Sequence, residues 1–302
     1  MGTLVHVGAS GPDATAAAHA VDAALASVER VERLMSFHDP ESDLSRLNRE
    51  AARTPQTVHP WTWAVLRRAL RVAEASDGLF DITIAPLLVR EGLLPGSADA
   101  SLQCGNWRHI VLMRDRKVFF ARPMLLDLGG IAKGFAVDRA IHELKRGSCT
   151  QGVVNAGGDL RRFGPLPQPI HLRRRDGLVQ VAELRCGAFA TSAPPGAHAE
   201  RLAQPLGSIF DPRARRAWNG SGAVMVAAPS CVIADALTKV AALAGPACAP
   251  LLARFGAQAL WDADPAYLEA VRPLGTKGSP QPRTDGPGCS SSAISIEVLG
   301  FN

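Results

Sequence analysis

The chain has 302 residues, of which 47% are hydrophobic and 20% are charged, and its formal net charge is +5 at pH 7. This length and composition are typical of a globular protein with a large core, and they argue against a disordered or a membrane-spanning chain. Its arginine clusters lack interleaved aromatic residues, which argues against a nucleic-acid-binding protein.

The N-terminal part combines one strand with several helical patterns. We predict a strand at 3–8, a long alanine-rich helix from about 13 to 34, a short helical piece at 43–47 and a helix from about 61 to 75. Residues 109–120 alternate as a β-hairpin. The apolar run 123–127 is expected to be a short strand that ends on Asp127.

Short strands dominate the second half of the chain. One strand is expected from 152 into a Gly157-Gly158-Asp159 turn, and further strands are expected at 171–173, 179–184, 188–191, 223–227 and 257–261. Helices are expected at 133–146, from 231 and at 246–255. The segment 275–292 is rich in Pro, Gly and Ser, which predicts a mobile loop. Because strands and helices do not alternate regularly, we predict an α+β fold with mixed or antiparallel sheets and flanking helices. A single domain over 1–302 is expected, either as one body or as two closely joined lobes.

Six cysteines are scattered along the chain, with no CxxC pair and no spacing typical of a zinc site. In a chain of this length they are expected to be buried thiols and not a disulfide framework. They are Cys104, Cys149, Cys186, Cys231, Cys248 and Cys289.

The most informative segment is 127–138, where Asp127 is followed by Gly129-Gly130 and then by a helical pattern that Gly147 ends. A strand, a paired glycine and a helix start together form an anion site, because free N–H groups and the helix dipole converge there. Lys133, in the first helical turn, adds a full positive charge. An ordinary glycine-rich turn with a solvated lysine remains an equally good interpretation of this segment by itself.

The helical pattern from 231 to 244 has three polar side chains besides its thiol, namely Asp235, Thr238 and Lys239. Their spacing of i, i+3 and i+4 places them on one face. Since the rest of the helix is apolar, we expect it to be buried, and a buried acid needs a partner or a metal. The alternative is an ordinary surface Asp–Lys pair.

Four segments in order, 77–87, 127–138, 152–160 and 228–240, together with the starting Met1-Gly2-Thr3, resemble the ApbE family of FAD:protein FMN transferases. The resemblance covers 1 to about 243 and implies an ApbE-like fold. It implies FAD contacts by Met1, Leu79, Phe80, Asp81, Asp127, Lys133 and Ile209. It also implies a Mg²⁺ site at the Gly130 carbonyl and Asp235, with Thr238 as the nearest threonine.

Two positions depart from the family pattern. The family's threonine ligand falls four residues after the aspartate, where this chain has Lys239, whose ammonium would replace part of the role of Mg²⁺ or compete with it. The family histidine near the pyrophosphate is Ser208 here, and a hydroxyl is not a proton acceptor at neutral pH. Asp235, Lys239 and Ser208 are therefore the candidate catalytic residues.

The resemblance implies transfer of FMN from FAD to a Thr or Ser of a partner protein, with release of AMP. Because the acceptor signature is absent from this chain, the acceptor would be a protein in trans. Mg²⁺-dependent hydrolysis of FAD and non-catalytic flavin binding are the alternatives. The resemblance also implies a periplasmic protein, but no leader precedes Met1, so a cytoplasmic location stays open.

Overall fold

The computed structural model describes residues 3–96, 105–174, 177–184, 186–192, 209–220, 222–261 and 293–300. The helices are α1 (Ala14–Met35), α2 (Asp43–Glu50), α3 (Pro60–Ala75), α4 (Ala85–Arg90), α5 (Ala132–Arg146), α6 (Cys231–Ala244) and α7 (Ala249–Arg254). The strands are β1 (Leu4–Ser10), β2 (Gln56–Thr57), β3 (Ile110–Leu112), β4 (Lys117–Phe120), β5 (Gln151–Ala156), β6 (Asp159–Phe163), β7 (Gln168–Arg174), β8 (Gly177–Leu184), β9 (Gly187–Ser192), β10 (Phe210–Asp211), β11 (Arg216–Ala217), β12 (Val224–Ala228), β13 (Gln258–Trp261) and β14 (Ala293–Gly300).

The main sheet has seven strands in the order β13-β12-β9-β6-β5-β1-β14, and every neighbouring pair is antiparallel. Smaller antiparallel sheets are formed by β2-β4-β3, by β7-β8 and by β10-β11. The predicted α+β class with antiparallel sheets and flanking helices is confirmed. The prediction of a single domain stays a prediction.

Helix α5 packs on both α1 and α6, and all three helices pack on the main sheet. Helix α1 begins after Asp13, whose carboxylate accepts the N–H of Thr15 at 2.8 Å, as expected of a helix N-cap. Its buried face consists of small and β-branched residues, including Ala17, Val21 and Ala24, which let the neighbouring helix approach closely. This packing brings the first turn of α5 beside α6.

Helix α6 lies in the core, with Asp235 and Thr238 fully buried. Within the described ranges, the stretch Cys231–Arg254 is long and apolar enough to cross a membrane by length and composition, because it contains an 18-residue window with a mean hydropathy of 1.5. In this fold its first part, α6, packs against β9 and β12.

Two predicted elements differ in the structure. Residues 123–127 form no strand and pair with none of the described strands. The side chain of Asn48 instead bonds both the N–H and the carbonyl of Leu126, and the N–H of Asp127 donates to the carbonyl of Ile82. The helix predicted at 246–255 divides into a 3₁₀ turn at Gly245–Cys248 and α7, each with a proline in its first turn. Strand β14 was not predicted, and the segment 275–292 lies outside the described residues.

The cysteines in the described ranges are free thiols. Cys149, Cys231 and Cys248 are buried, as expected, whereas Cys186 is exposed. Cys104 and Cys289 lie outside the described residues.

Candidate functional site

The paired glycines Gly129-Gly130 lie between an aromatic ring and a lysine. Gly129 donates its N–H to Oδ2 of Asp127 at 3.1 Å, which holds the turn against the end of the preceding segment. A Cβ placed on Gly130 would lie 3.4 Å from Cε of Lys239 and 3.5 Å from Cε2 of Phe80. Phe80 and Lys239 therefore flank this turn, although they are far apart in the sequence.

Asp235 is the buried centre of the site, with 1% of its side chain exposed. Its Oδ2 accepts the N–H of Gly134 at 3.0 Å, and its Oδ1 contacts Nζ of Lys239. Nζ of Lys133 lies 3.7 Å from the same Oδ1. The alternative of a surface Asp–Lys pair is therefore wrong, because this carboxylate is buried and faces two ammonium groups.

A second buried carboxylate, Asp159, completes the cluster. Nζ of Lys133 lies 3.1 Å from its Oδ2, and 2% of the Asp159 side chain is exposed. The turn before it needs glycine: Gly157 has φ of +61°, and a Cβ there would lie 2.3 Å from Oγ1 of Thr3. Asp159 was not among the predicted site residues, although its Gly-Gly-acid pattern was the available signal.

Helix α6 is held in place by Asp138 of α5. Its two carboxylate oxygens accept the N–H groups of Cys231 at 2.9 Å and Val232 at 3.0 Å, where Ser230 provides no side-chain cap. Arg161 of β6 pairs with the same carboxylate at 2.6 Å. The side chains that α5 and α6 present to the cluster are thus fixed relative to each other.

Burial and the neighbouring charges shift the pKa values of the cluster in opposite directions. Burial raises the pKa of Asp159 to about 6, and the charge of Asp235 adds to the rise. Burial also acts to raise the pKa of Asp235, but Lys133 and Lys239 outweigh it and the pKa is lowered. Burial acts to lower the pKa of Lys133, but Asp159 and Asp235 outweigh it and the pKa is raised. Lys133 and Asp235 are therefore both charged at neutral pH.

The raised pKa of Asp159 predicts a dependence of stability on pH. Between the ordinary value of 3.8 and about 6 the folded protein holds a proton that the unfolded chain releases. The contribution of Asp159 is therefore fully present below pH 3.8 and is lost as the pH rises through about 6.

We expect the free energy of unfolding of the native protein, relative to that of Asp159→Asn, to fall by on the order of 2 kcal/mol from about pH 4 to about pH 7. Urea titrations at the two pH values measure this difference. The control is Asp115→Asn, in the exposed turn between β3 and β4. Its free energy of unfolding should change between the two pH values as much as that of the native protein. If the free energy of unfolding of Asp159→Asn changed with pH as much as that of the native protein, the prediction would be contradicted.

The remaining predicted site residues have structural contacts of their own. Both carboxylate oxygens of Asp81 accept backbone N–H groups, from Thr83 at 2.9 Å and Trp107 at 3.1 Å, and burial raises its pKa. The carbonyl of the buried Ile209 accepts the N–H of Trp218 at 2.7 Å, and Leu79 packs on the core. Their assignment to FAD stays a prediction. Met1 and Ser208 lie outside the described residues.

The hydroxyl of Thr238 is directed toward β9. It donates to the carbonyl of Asp235 at 2.7 Å and lies 2.8 Å from Oγ of Ser192, a residue that was not predicted to contact the site. Its assignment as a metal ligand stays a prediction, and no contact joins this hydroxyl to the Asp235 carboxylate.

Comparison with protein families identifies the family of this chain. The model of the ApbE family matches residues 1–261, which include every element of the site. The chain belongs to the ApbE family.

One solved structure and two proteins of known name illustrate what this ApbE protein is similar to. A crystal structure of the ApbE protein from Thermotoga maritima superimposes with a TM-score of 0.69 at 26% identity, covering 81% of this chain and 86% of that one. The "FAD:protein FMN transferase" of Klebsiella pneumoniae is 31% identical over 47% of this chain, and the alignment spans 50% of that protein. The protein of the same name from Vibrio cholerae is 25% identical over 70% of this chain and 69% of its own length.

The side chains present do not fit the divalent cation that the family resemblance implies. Oδ1 of Asp235 already faces the ammonium groups of Lys239 and Lys133, and Oδ2 accepts an N–H. Among the described residues no group of three or more His, Cys, Asp or Glu side chains could hold a metal ion. The cluster is built to hold two ammonium groups, which are ligands for phosphate oxygens.

Proposed function

We propose that this protein is an FAD:protein FMN transferase, which moves FMN from FAD to a threonine or serine of a separate acceptor protein and releases AMP. Its membership of the ApbE family supports this function, as do the names of the relatives with which it aligns. The periplasmic location that the resemblance implies is part of the same proposal.

The observation that carries the proposal is the convergence of Lys133 and Lys239 at the Gly129-Gly130 turn. Phosphoryl transfer depends mainly on positioning and on neutralising the phosphate charges. Two fixed ammonium groups supply both for the diphosphate of FAD. Phe80 lies beside the same turn and is buried, with 5% of the residue exposed, so its contact with a flat ring is part of the proposal and not an observed open surface.

The reaction forms one bond and breaks another at the same phosphorus atom. The hydroxyl oxygen of the acceptor bonds to the phosphorus of the FMN phosphate, and the bond from that phosphorus to the bridging oxygen breaks. AMP leaves with the bridging oxygen, and the hydroxyl proton is released. Lys133 and Lys239 would stabilise the charge that develops on the phosphate oxygens.

Incubation of the protein with FAD, with and without an acceptor protein, tests the function. AMP release only with the acceptor, together with a flavin covalently attached to it, is the expected result. AMP release without an acceptor would instead indicate hydrolysis, and bound FAD with no AMP under either condition would indicate a flavin-binding protein without transferase activity.

FAD is expected to bind in preference to NAD or ATP, and this affinity should depend on Lys133. Because charge-assisted hydrogen bonds contribute about 1.5–3 kcal/mol, Lys133→Ala should weaken FAD binding by about 10–100-fold. Asp127→Ala should weaken it as well, since Asp127 holds the glycine turn.

Isothermal titration calorimetry of each variant, with the melting temperature measured in parallel, separates binding from folding. Lys117→Ala, at an exposed position on β4, is the matched control and should bind FAD like the native protein. Intact FAD affinity in the folded fraction of Lys133→Ala, or equal affinity for ATP, would show that the site is wrongly assigned.

A further inference from the structure

We infer that Lys239 occupies the place of a divalent cation in this protein, so that two lysines neutralise the FAD diphosphate without a metal. This inference rests on the proposed function for the identity of the anion. The positions of Lys133 and Lys239 beside Asp235 do not depend on the proposed function.

The position of Lys239 on α6 directs its ammonium to the site. Four residues after Asp235, its side chain runs back along the helix, and Nζ donates to the Asp235 carbonyl at 3.0 Å besides contacting Oδ1. Its Cε lies 3.4 Å from the position of a Cβ on Gly130. The ammonium pairs with a buried carboxylate, and 20% of the Lys239 side chain remains exposed.

The positive charges already present at Asp235 disfavour the binding of a divalent cation there. Lys133 and Lys239 both lie within 4 Å of Oδ1 of Asp235, and Lys133 is also held by Asp159. A divalent cation at this buried carboxylate would lie beside two ammonium groups, and like charges at such short distances repel each other. An incoming diphosphate, in contrast, would be attracted by the same two groups.

The nearest hydroxyl is also unsuitable as a ligand. Thr238 donates its proton to the Asp235 carbonyl and contacts Ser192 on β9, which places its oxygen in the interface of α6 with the sheet. Among the described residues of α6, therefore, no hydroxyl supplies the oxygen that a metal would need next to the carboxylate. Lys239→Thr would supply one and would remove a positive charge at the same time.

Titration with Mg²⁺ alone, and with Mn²⁺ followed by its electron paramagnetic resonance signal, measures metal binding without reference to activity. The native protein should bind neither ion with measurable affinity, and Lys239→Thr should bind both at least about 100-fold more tightly. Lys239→Met, which removes the charge but adds no oxygen, should gain less than Lys239→Thr. Tight Mg²⁺ binding by the native protein, or affinity unchanged in Lys239→Thr, would overturn the inference.

Titration of FAD in the presence of EDTA or Mg²⁺ separates this inference from the proposed function. If the ammonium replaces the metal, the native protein should bind FAD with the same affinity in EDTA and in Mg²⁺. Lys239→Met should bind FAD about 10-fold or more weakly. FAD binding that requires Mg²⁺ would overturn the inference and leave the transferase proposal intact. Metal-independent binding of FAD, with no FMN transfer to an acceptor and no AMP release, would refute the transferase proposal and leave the inference intact. If Lys239→Thr does not fold, as judged by its melting temperature, the native protein and Lys239→Met decide the outcome.

Discussion

Replacing Gly134 by alanine is expected to destabilise the protein by about 3 kcal/mol or more, because overpacking at a backbone contact cannot be relieved by a side-chain movement. A Cβ on Gly134 would lie 2.3 Å from the carbonyl oxygen of Cys231 and 2.8 Å from Cβ of Asp235. The helices α5 and α6 would have to separate. The hydrogen bond from Gly134 N to Asp235 would then lengthen, and the lysine cluster would be displaced.

Urea denaturation measures this effect, and the matched control is Gly11→Ala. At Gly11 the nearest atoms to an added Cβ lie at 3.4 Å and 3.5 Å, which is ordinary contact, so this variant should unfold within about 1 kcal/mol of the native protein. Equal stability of Gly134→Ala and Gly11→Ala would show that the two helices are not packed as closely as described.

The second large effect is expected from Asp235→Asn. Removing this charge leaves the ammonium groups of Lys133 and Lys239 without their common counter-ion, and breaking a buried ion pair in this way costs about 3 kcal/mol or more. Both oxygens of Asp235 accept hydrogen bonds, whereas the NH₂ group of an asparagine would face a donor and would lose one of these bonds. We therefore expect a marked decrease in the midpoint of denaturation at neutral pH.

The same substitution at an exposed ion pair provides the control. Asp77 pairs with Arg108 and Arg213, but 76% of its side chain is exposed, so Asp77→Asn should cost less than about 1 kcal/mol. If both variants lost the same stability, the carboxylate of Asp235 would not be the buried centre of the cluster.

The local part of the fold was accessible from the sequence because short-range patterns specify it. The apolar spacing of α5, its lysine in the first turn and Gly147 after its last turn predicted that helix to within a residue or two. The near absence of polar residues from α6 predicted a buried helix, and the spacing of Asp235 and Lys239 predicted that they share a face. Each of these features depends on residues within four positions of one another.

The sequence did not predict features that depend on distant partners. The run 123–127 has the composition of a strand, but the side chain of Asn48 satisfies its backbone, so no ladder forms. Strand β14 is recognisable only by its pairing with β1, at the other end of the chain. A pattern of local residues contains no information on which distant group will bond an exposed N–H.

The features of the site likewise fall into those that the sequence predicted and those that only the structure showed. By itself the sequence determined that a glycine turn, a lysine in a first helical turn and an acid on a buried helix occur in this chain, and its motifs predicted the ApbE family, which the comparison confirmed. Only the tertiary structure decided that Lys133 joins Asp159 to Asp235, and that Thr238 faces Ser192. These contacts span from 26 to 102 residues, and they form because the antiparallel sheet and the α5–α6 packing bring the lysines to two buried carboxylates, each of which needs a partner.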